Sequence, residues 1–203
     1  MVPKLLRWIW PRSRIKIVTL TGPSGAGKTT MARELLKRHP EWGLVISYTS
    51  REAREGRDLP GEYRCDVPKK DFLRWRKRGE DLWIESAHGH MYATLKADVD
   101  RALTLGRGQL SFMQLIPGSI EKVRNYARGR IMSIFILSPE EEELRCRLKR
   151  RGESEEVVER RISDCQQWEQ EALSSGIPYE LVRNDGTIAE AVERVEEIIL
   201  RHT

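Results

Sequence analysis

The sequence predicts an α/β chain: a three-layer sandwich with a parallel sheet between helices, interrupted by a β-rich insert. Three observations predict it. A short β-branched run at residues 15–21 leads through a glycine-rich loop into a helical pattern that starts at Lys28. Strand and helix patterns then alternate through most of the chain, the order that builds a parallel sheet. Between residues 47 and 94 that alternation gives way to charged loops with Gly and Pro and to a hairpin pattern, which marks an insert.

Each element follows from its local pattern. Residues 15–21 (Ile-Lys-Ile-Val-Thr-Leu-Thr) read as a buried strand. Residues 28–38 carry Met31, Leu35 and Leu36 at helical spacing. Residues 44–48 read as the second core strand, and residues 51–68, with Gly56, Pro60 and Gly61, as loop with short strands. A helix is expected over 69–77 with Phe72 and Trp75 inward, then strands at 82–86 and 91–94 joined by a His88-Gly89-His90 turn, then a helix over 97–105. Residues 110–115 are a strand, 118–126 a helix with Ile120 and Val123 on one side, and 130–137 a strongly apolar strand. Pro139 and the acids after it open a helix that Gly152 and Glu153 end. A long helix to about residue 173 places Val158, Ile162 and Cys165 on one face, residues 181–183 close as a strand, and 187–201 form the last helix.

The chemistry begins in the first loop. Gly22-Pro23-Ser24-Gly25-Ala26-Gly27-Lys28-Thr29, followed by Thr30, fits the phosphate-binding pattern Gly-x-x-x-x-Gly-Lys-Ser/Thr in its required strand–loop–helix setting. The glycines let successive backbone N–H groups turn toward one anion, and the helix start adds its positive dipole end. Lys28 supplies a mobile charge for the outer phosphates, and the Thr29 hydroxyl is placed to ligate Mg²⁺. The loop therefore indicates a nucleoside triphosphate, ATP being the cofactor expected, without naming the reaction.

Composition narrows the rest. The 203 residues, 39% hydrophobic, suffice for one sizeable domain, and no stretch has the length of a membrane span. Residues 1–14 are basic and aromatic and read as an arm outside the core, for which contact with a membrane surface or a partner is one reading. The arm's apolar run is too short and interrupted for a secretory signal. Cys65, Cys146 and Cys165 show no metal spacing, which suggests free thiols in a reducing cytoplasm. For His88 and His90 a hairpin turn is favoured over a metal site. The net charge of +5 can mean nucleic acid, but arginines clustered near loops suit two phosphorylated substrates equally well. The expectation taken forward is a small-molecule substrate and no nucleic acid.

The insert holds the second constellation, Ser47-Tyr-Thr-Ser-Arg51-Glu-Ala-Arg54-Glu-Gly56, then Tyr63. Two arginines three apart and a tyrosine nine further on can converge on one phosphate, since guanidinium groups make forked, charge-assisted bonds to its oxygens. Glu85 and the segment Tyr92-Ala93-Thr94 follow. A carboxylate can accept two N–H bonds from the N1 and N2 positions of guanine.

Taken together, these residues resemble the guanylate kinase family. Ser47, Arg51, Arg54, Gly56 and Tyr63 match its segment without gaps. Glu85-Ser86-Ala87 and Tyr92-Ala93-Thr94 match its hairpin once two residues are deleted between Ala87 and His88. Leu144-Arg-Cys-Arg147-Leu148-Lys-Arg-Arg151-Gly152 resembles its lid, with Arg161 matching a further arginine. Asn184-Asp185 is similar to a family pair near the adenine, or is an Asn-Asp-Gly turn. The resemblance covers residues 14 to 202 and implies a P-loop kinase three-layer sandwich with a monophosphate-binding insert (47–94), a core (15–46 and 95–203) and a small helical lid (about 147–161). It also implies transfer of a phosphoryl group from ATP, with Mg²⁺, to GMP. Lys28, Arg147, Arg151 and Arg161 would be catalytic. Arg51, Arg54, Tyr63 and Tyr92 would hold the acceptor phosphate, and Ser47, Glu85 and Thr94 would read guanine.

One departure stands out. The family's acidic-x-Asp pair near the end of the third core strand falls here on Met113 and Leu115, with Gln114 the polar residue between them. Ribose 1,5-bisphosphate kinases also lack that pair. They tend to lose the second arginine, kept here as Arg54, which favours a nucleoside monophosphate as acceptor. A weakly catalytic nucleotide-binding module is the remaining alternative.

Overall fold

The structure, a computed structural model, describes residues 15–87 and 89–203. The arm at 1–14 and the reading of His88 lie outside those residues. The expected architecture is present. Five strands form a parallel sheet in the order β2 (Gly43–Leu44), β7 (Ser111–Gln114), β1 (Ile17–Thr21), β8 (Ile131–Leu137) and β9 (Tyr179–Arg183). The strand preceding the glycine loop is thus central, buried on both faces, and its apolar run has the continuity such strands require.

Alternation along β1 and β8 sends side chains to two separate cores. Val18, Leu20, Met132, Ile134 and Ile136 pack under α1 (Lys28–Arg38) and α7 (Ile188–His202), meeting Met31, Leu35, Val192, Val195 and Ile199. Ile17 and Ile131 face the other way, toward Val99 and Ala102 of α3 (Lys96–Leu103) and Ile120 and Val123 of α4 (Pro117–Ala127). Helices on both sheet faces give the three layers. The α1–α7 face is also tied at its rim, where Glu196 accepts bonds from Arg38 and His39 at 2.6 Å.

The run expected as a second core strand at 44–48 is divided. Gly43–Leu44 pair with β7, and the chain then crosses to a second sheet as β3 (Ser47–Thr49). That sheet has the order β4 (Tyr63–Arg64), β3, β6 (His90–Leu95), β5 (Asp81–Ala87). Its β5–β6 hairpin is antiparallel, and β3 pairs parallel with β4. Phe72 and Trp75 of α2 (Lys69–Arg78) cover one face of it, against Ile84 and Ala93. A third small unit is the hairpin of α5 (Glu141–Arg150) and α6 (Glu155–Ser174), closed by Leu144, Leu148, Val158, Ile162 and Cys165. Among the described residues no helix is long and apolar enough to cross a membrane.

Candidate active site

The main sheet, the second sheet and the α5–α6 hairpin border one cavity of about 360 Å³. Its floor is the loop after β1. Gly22 and Gly27 have φ of 142° and 100°, and a Cβ on either would meet the Ile136 carbonyl or the Asn184 amide. Glycine is therefore required there by backbone conformation and by close approach alike. Gly27 precedes α1 without a side-chain cap, and the first turn carries no acid, so its N–H groups and dipole remain available to an anion.

Lys28 curls back over this loop, and its Nζ donates to the carbonyls of Gly22 at 2.6 Å and Pro23 at 2.8 Å. Desolvation pushes its pKa down to about 8, with Glu62 opposing and Arg151 and Arg161 reinforcing that shift. Asn184 is buried, and its Nδ2 donates to Ala26 O at 2.8 Å. It does not line the cavity, and its bond to Ala26 braces the loop from behind. Pro23 and Ala26 likewise act through carbonyls, while Ser24, Gly25, Thr29 and Thr30 line the cavity.

Opposite the loop, Arg51 is held almost completely buried. Its Nη2 donates to both Asp58 oxygens at 3.0 Å, its Nη1 donates to the Glu52 carbonyl at 2.7 Å, and its Cζ lies 5.4 Å from the Tyr63 ring centroid. Arg54, whose backbone N–H also binds Asp58, keeps a guanidinium with no partner among the described residues. Tyr63 and Tyr92 meet edge-on at 6.2 Å, and all four residues line the cavity. Burial raises the Tyr63 pKa well above its usual value, so its hydroxyl stays a donor.

The hairpin contributes Arg151 and Arg161 to the wall between these two ends. Arg161 donates to Ser24 Oγ of the loop and pairs with Glu153 at 3.2 Å, yet its buried Nε has no partner. Burial lowers the pKa of both arginines; for Arg151 the neighbouring guanidiniums of Arg161 and Arg57 lower it further. Cations crowded at a cost to one another, with an unpaired N–H, fit a polyphosphate. Arg147 does not join them. It is drawn to Glu143 at 2.8 Å and to the Asn184 carbonyl at 3.3 Å, away from the cavity.

The three residues expected to read a base each have a protein partner. Ser47 and Thr94 are buried and hydrogen-bond each other at 3.0 Å. Glu85 sits between Trp83 and Ala87 on one strand face, and both of those line the cavity. The Glu85 carboxylate instead accepts from Lys122 Nζ on α4 at 2.6 Å. In the hairpin register Glu85 pairs with Tyr92, whereas the position opposite Thr94 belongs to Trp83. Trp83 is 3% exposed and its indole N–H has no partner, a state that costs roughly 1–3 kcal/mol.

Several wall residues escaped the sequence reading. Asp58 and Glu62 lie in the charged loop, where a carboxylate paired with a binding arginine cannot be told from a solvated one. Burial pushes the Glu62 pKa up to about 7, opposed by its bond from the Leu59 N–H at 3.1 Å. Arg57 donates to the Arg151 carbonyl at 3.0 Å and so joins insert to hairpin. Its position straight after Gly56 was the available signal. Gln114, at the end of β7, has its side-chain amide 3.3 Å from Thr29 Oγ1, while Met113 and Leu115 are committed to the apolar core.

The family model described as guanylate kinase matches residues 14–202. The chain is 33% identical to a guanylate kinase of Synechocystis, over 91% of this chain and 93% of that protein. It is 31% identical to one of Agrobacterium fabrum, over 90% and 80%. A crystal structure of guanylate kinase from Anaplasma phagocytophilum shares the fold, with a TM-score of 0.64 at 24% identity over 95% of this chain and 88% of that one.

Proposed function

Given that the chain belongs to the guanylate kinase family, we propose that it transfers the terminal phosphoryl group of ATP to GMP, giving ADP and GDP. The observation that carries this reading is the meeting of two anion sites in one cavity. The Lys28 loop lies at one end and the Arg51–Arg54–Tyr63–Tyr92 cluster at the other, with Arg151 and Arg161 between them. An oxygen of the acceptor phosphate attacks the terminal phosphorus in line, and the bond to the bridging oxygen of ADP breaks. No protein nucleophile takes part, so the work is positioning and charge neutralisation.

In this reading the loop amides and Lys28 hold the triphosphate. Arg51 and Arg54 grip the acceptor phosphate with hydrogen bonds from the tyrosines. Arg151 and Arg161 face the charge that develops on the transferred group and close the cavity to water. Mg²⁺, when bound, neutralises the phosphate oxygens. Among the described residues no group of three His, Cys, Asp or Glu could hold a metal. Thr29 Oγ1 and the Gln114 carbonyl oxygen are the protein groups placed for it, which fits an ion that arrives with the nucleotide. A cytoplasmic setting belongs to the same proposal, supported by the three free thiols of Cys65, Cys146 and Cys165.

The test is an ADP-release assay with GMP, dGMP, AMP, UMP and ribose 1,5-bisphosphate as acceptors. GMP is expected to support turnover, and Lys28→Ala to lower it by about a thousandfold. Turnover with ribose 1,5-bisphosphate and none with GMP, or an active Lys28→Ala, would overturn the proposal.

A further inference from the structure

Glu85 shares a strand face with Trp83 and Ala87, which line the cavity together with Leu115 and Ile116. The third core strand brings no carboxylate to this wall, since Met113 and Leu115 belong to the apolar core. The carboxylates that do line the cavity are engaged near its arginines and loop: Asp58 with Arg51, Glu153 with Arg161, and Glu62 with the Leu59 backbone. Base reading by Glu85 therefore has no second acid beside it, and the orientation of that one flexible side chain matters the more. Lys122 supplies a hold on it. Its Nζ donates to Glu85 Oε1 at 2.6 Å. The lysine stands on α4, which packs against β5, and its neighbour Val123 is buried in the same cluster as Trp83 and Leu115. Its surroundings direct the ammonium toward Glu85. Lys122 borders a groove with Asp100, Arg128 and Arg130. The two arginines repel it, and both Asp100 oxygens already accept from the Tyr126 hydroxyl, at 2.9 and 3.0 Å.

We propose that Lys122 is a positioning residue for the acceptor base: it fixes the Glu85 carboxylate in the orientation that accepts from N1–H and the 2-amino group of guanine. The inference rests on the GMP reading above and deepens it. A carboxylate offers about four lone-pair sites over its two oxygens, and the lysine occupies one. Guanine needs two, so the base displaces nothing when it binds. What the lysine removes is the rotational freedom of a long side chain, a cost that GMP would otherwise meet on binding.

A coupled pair of substitutions tests this. Lys122→Met removes the charge and keeps an unbranched apolar stem on α4. It is expected to raise the KM for GMP about two- to fivefold, the worth of a partly exposed ion pair, with the KM for ATP and the melting temperature unchanged. Lys122→Arg, which keeps charge and reach, should restore most of the loss. IMP lacks the 2-amino group, so the preference for GMP over IMP should narrow in Lys122→Met. In a Glu85→Gln background, itself impaired with GMP, Lys122→Met should add no further loss, because no carboxylate remains to be held. An unchanged or lower KM for GMP in Lys122→Met overturns the proposal, as does an equal loss in the Glu85→Gln background or a parallel rise in the KM for ATP. A Glu85→Gln variant that phosphorylates GMP normally overturns it too, while leaving the kinase reading intact. Failure of the unaltered protein to phosphorylate GMP removes that reading and this inference with it.

Discussion

Glu62 places an ionisable carboxyl between the loop lysine and the acceptor-end arginines, and that burial has a pH signature. Its pKa is pushed up from 4.5 to about 7, so the folded chain binds more protons than the unfolded one between those values. Stability therefore falls as pH rises through that window, and the cost is complete above it. Glu62→Gln keeps an acceptor for the Leu59 N–H without the buried charge. It is expected to raise stability at about pH 8 by up to about 3 kcal/mol and to change little at about pH 5, read from thermal unfolding at the two pH values. A variant less stable at the higher pH would refute this account. At this scale the sequence was legible where chemistry is local. Gly22 to Thr29 form one continuous motif, and Arg51, Arg54 and Tyr63 sit at short fixed spacings. Lys122 was not legible. A lysine on an amphipathic helix reads as solvated, and only the packing of α4 on β5 shows that it reaches Glu85.

Among the elements, the division of 44–48 between two sheets matters most. Val45 and Ile46 carry the chain from β2 to β3, so the acceptor-binding sheet leaves the triphosphate-binding sheet at that crossing. Periodicity could not reveal the break, since the apolar run is continuous and either sheet would accept it. The helices were more legible because each carries its own signals. The Thr187–Glu190 capping box sets the start of α7, and Gly152 breaks the hairpin between α5 and α6. The contact between insert and hairpin depends on Arg57, which reaches the Arg151 carbonyl, while Arg33 of α1 reaches the Gly56 carbonyl at 3.4 Å. Arg57→Ala is expected to let water into the cavity. Coupled turnover should fall about three- to tenfold, the worth of one solvent-exposed hydrogen bond, and ATP hydrolysis without acceptor should rise. Unchanged hydrolysis alongside normal turnover would mean that the contact does not seal the site.

At the scale of the whole molecule, three layers were foreseeable from alternation alone, and a parallel sheet with β1 at its centre follows from burying a strand apolar on both faces. The long-range closures were not foreseeable. Asn184 resembled an adenine neighbour or a turn residue, yet its side chain completes the loop around Ala26 across 158 positions of sequence. Asn184→Ala leaves that carbonyl unpaired, and the KM for ATP is expected to rise about tenfold with the acceptor KM little changed. Equal changes in both would point to general loosening of the fold. The same bond also bears on how the protein is made. The loop emerges from the ribosome early, but its brace arrives only after β9 has joined the sheet. A nascent chain therefore carries the complete nucleotide motif before the bond that braces it, and its hold on ATP is expected to reach full strength once synthesis has passed residue 184.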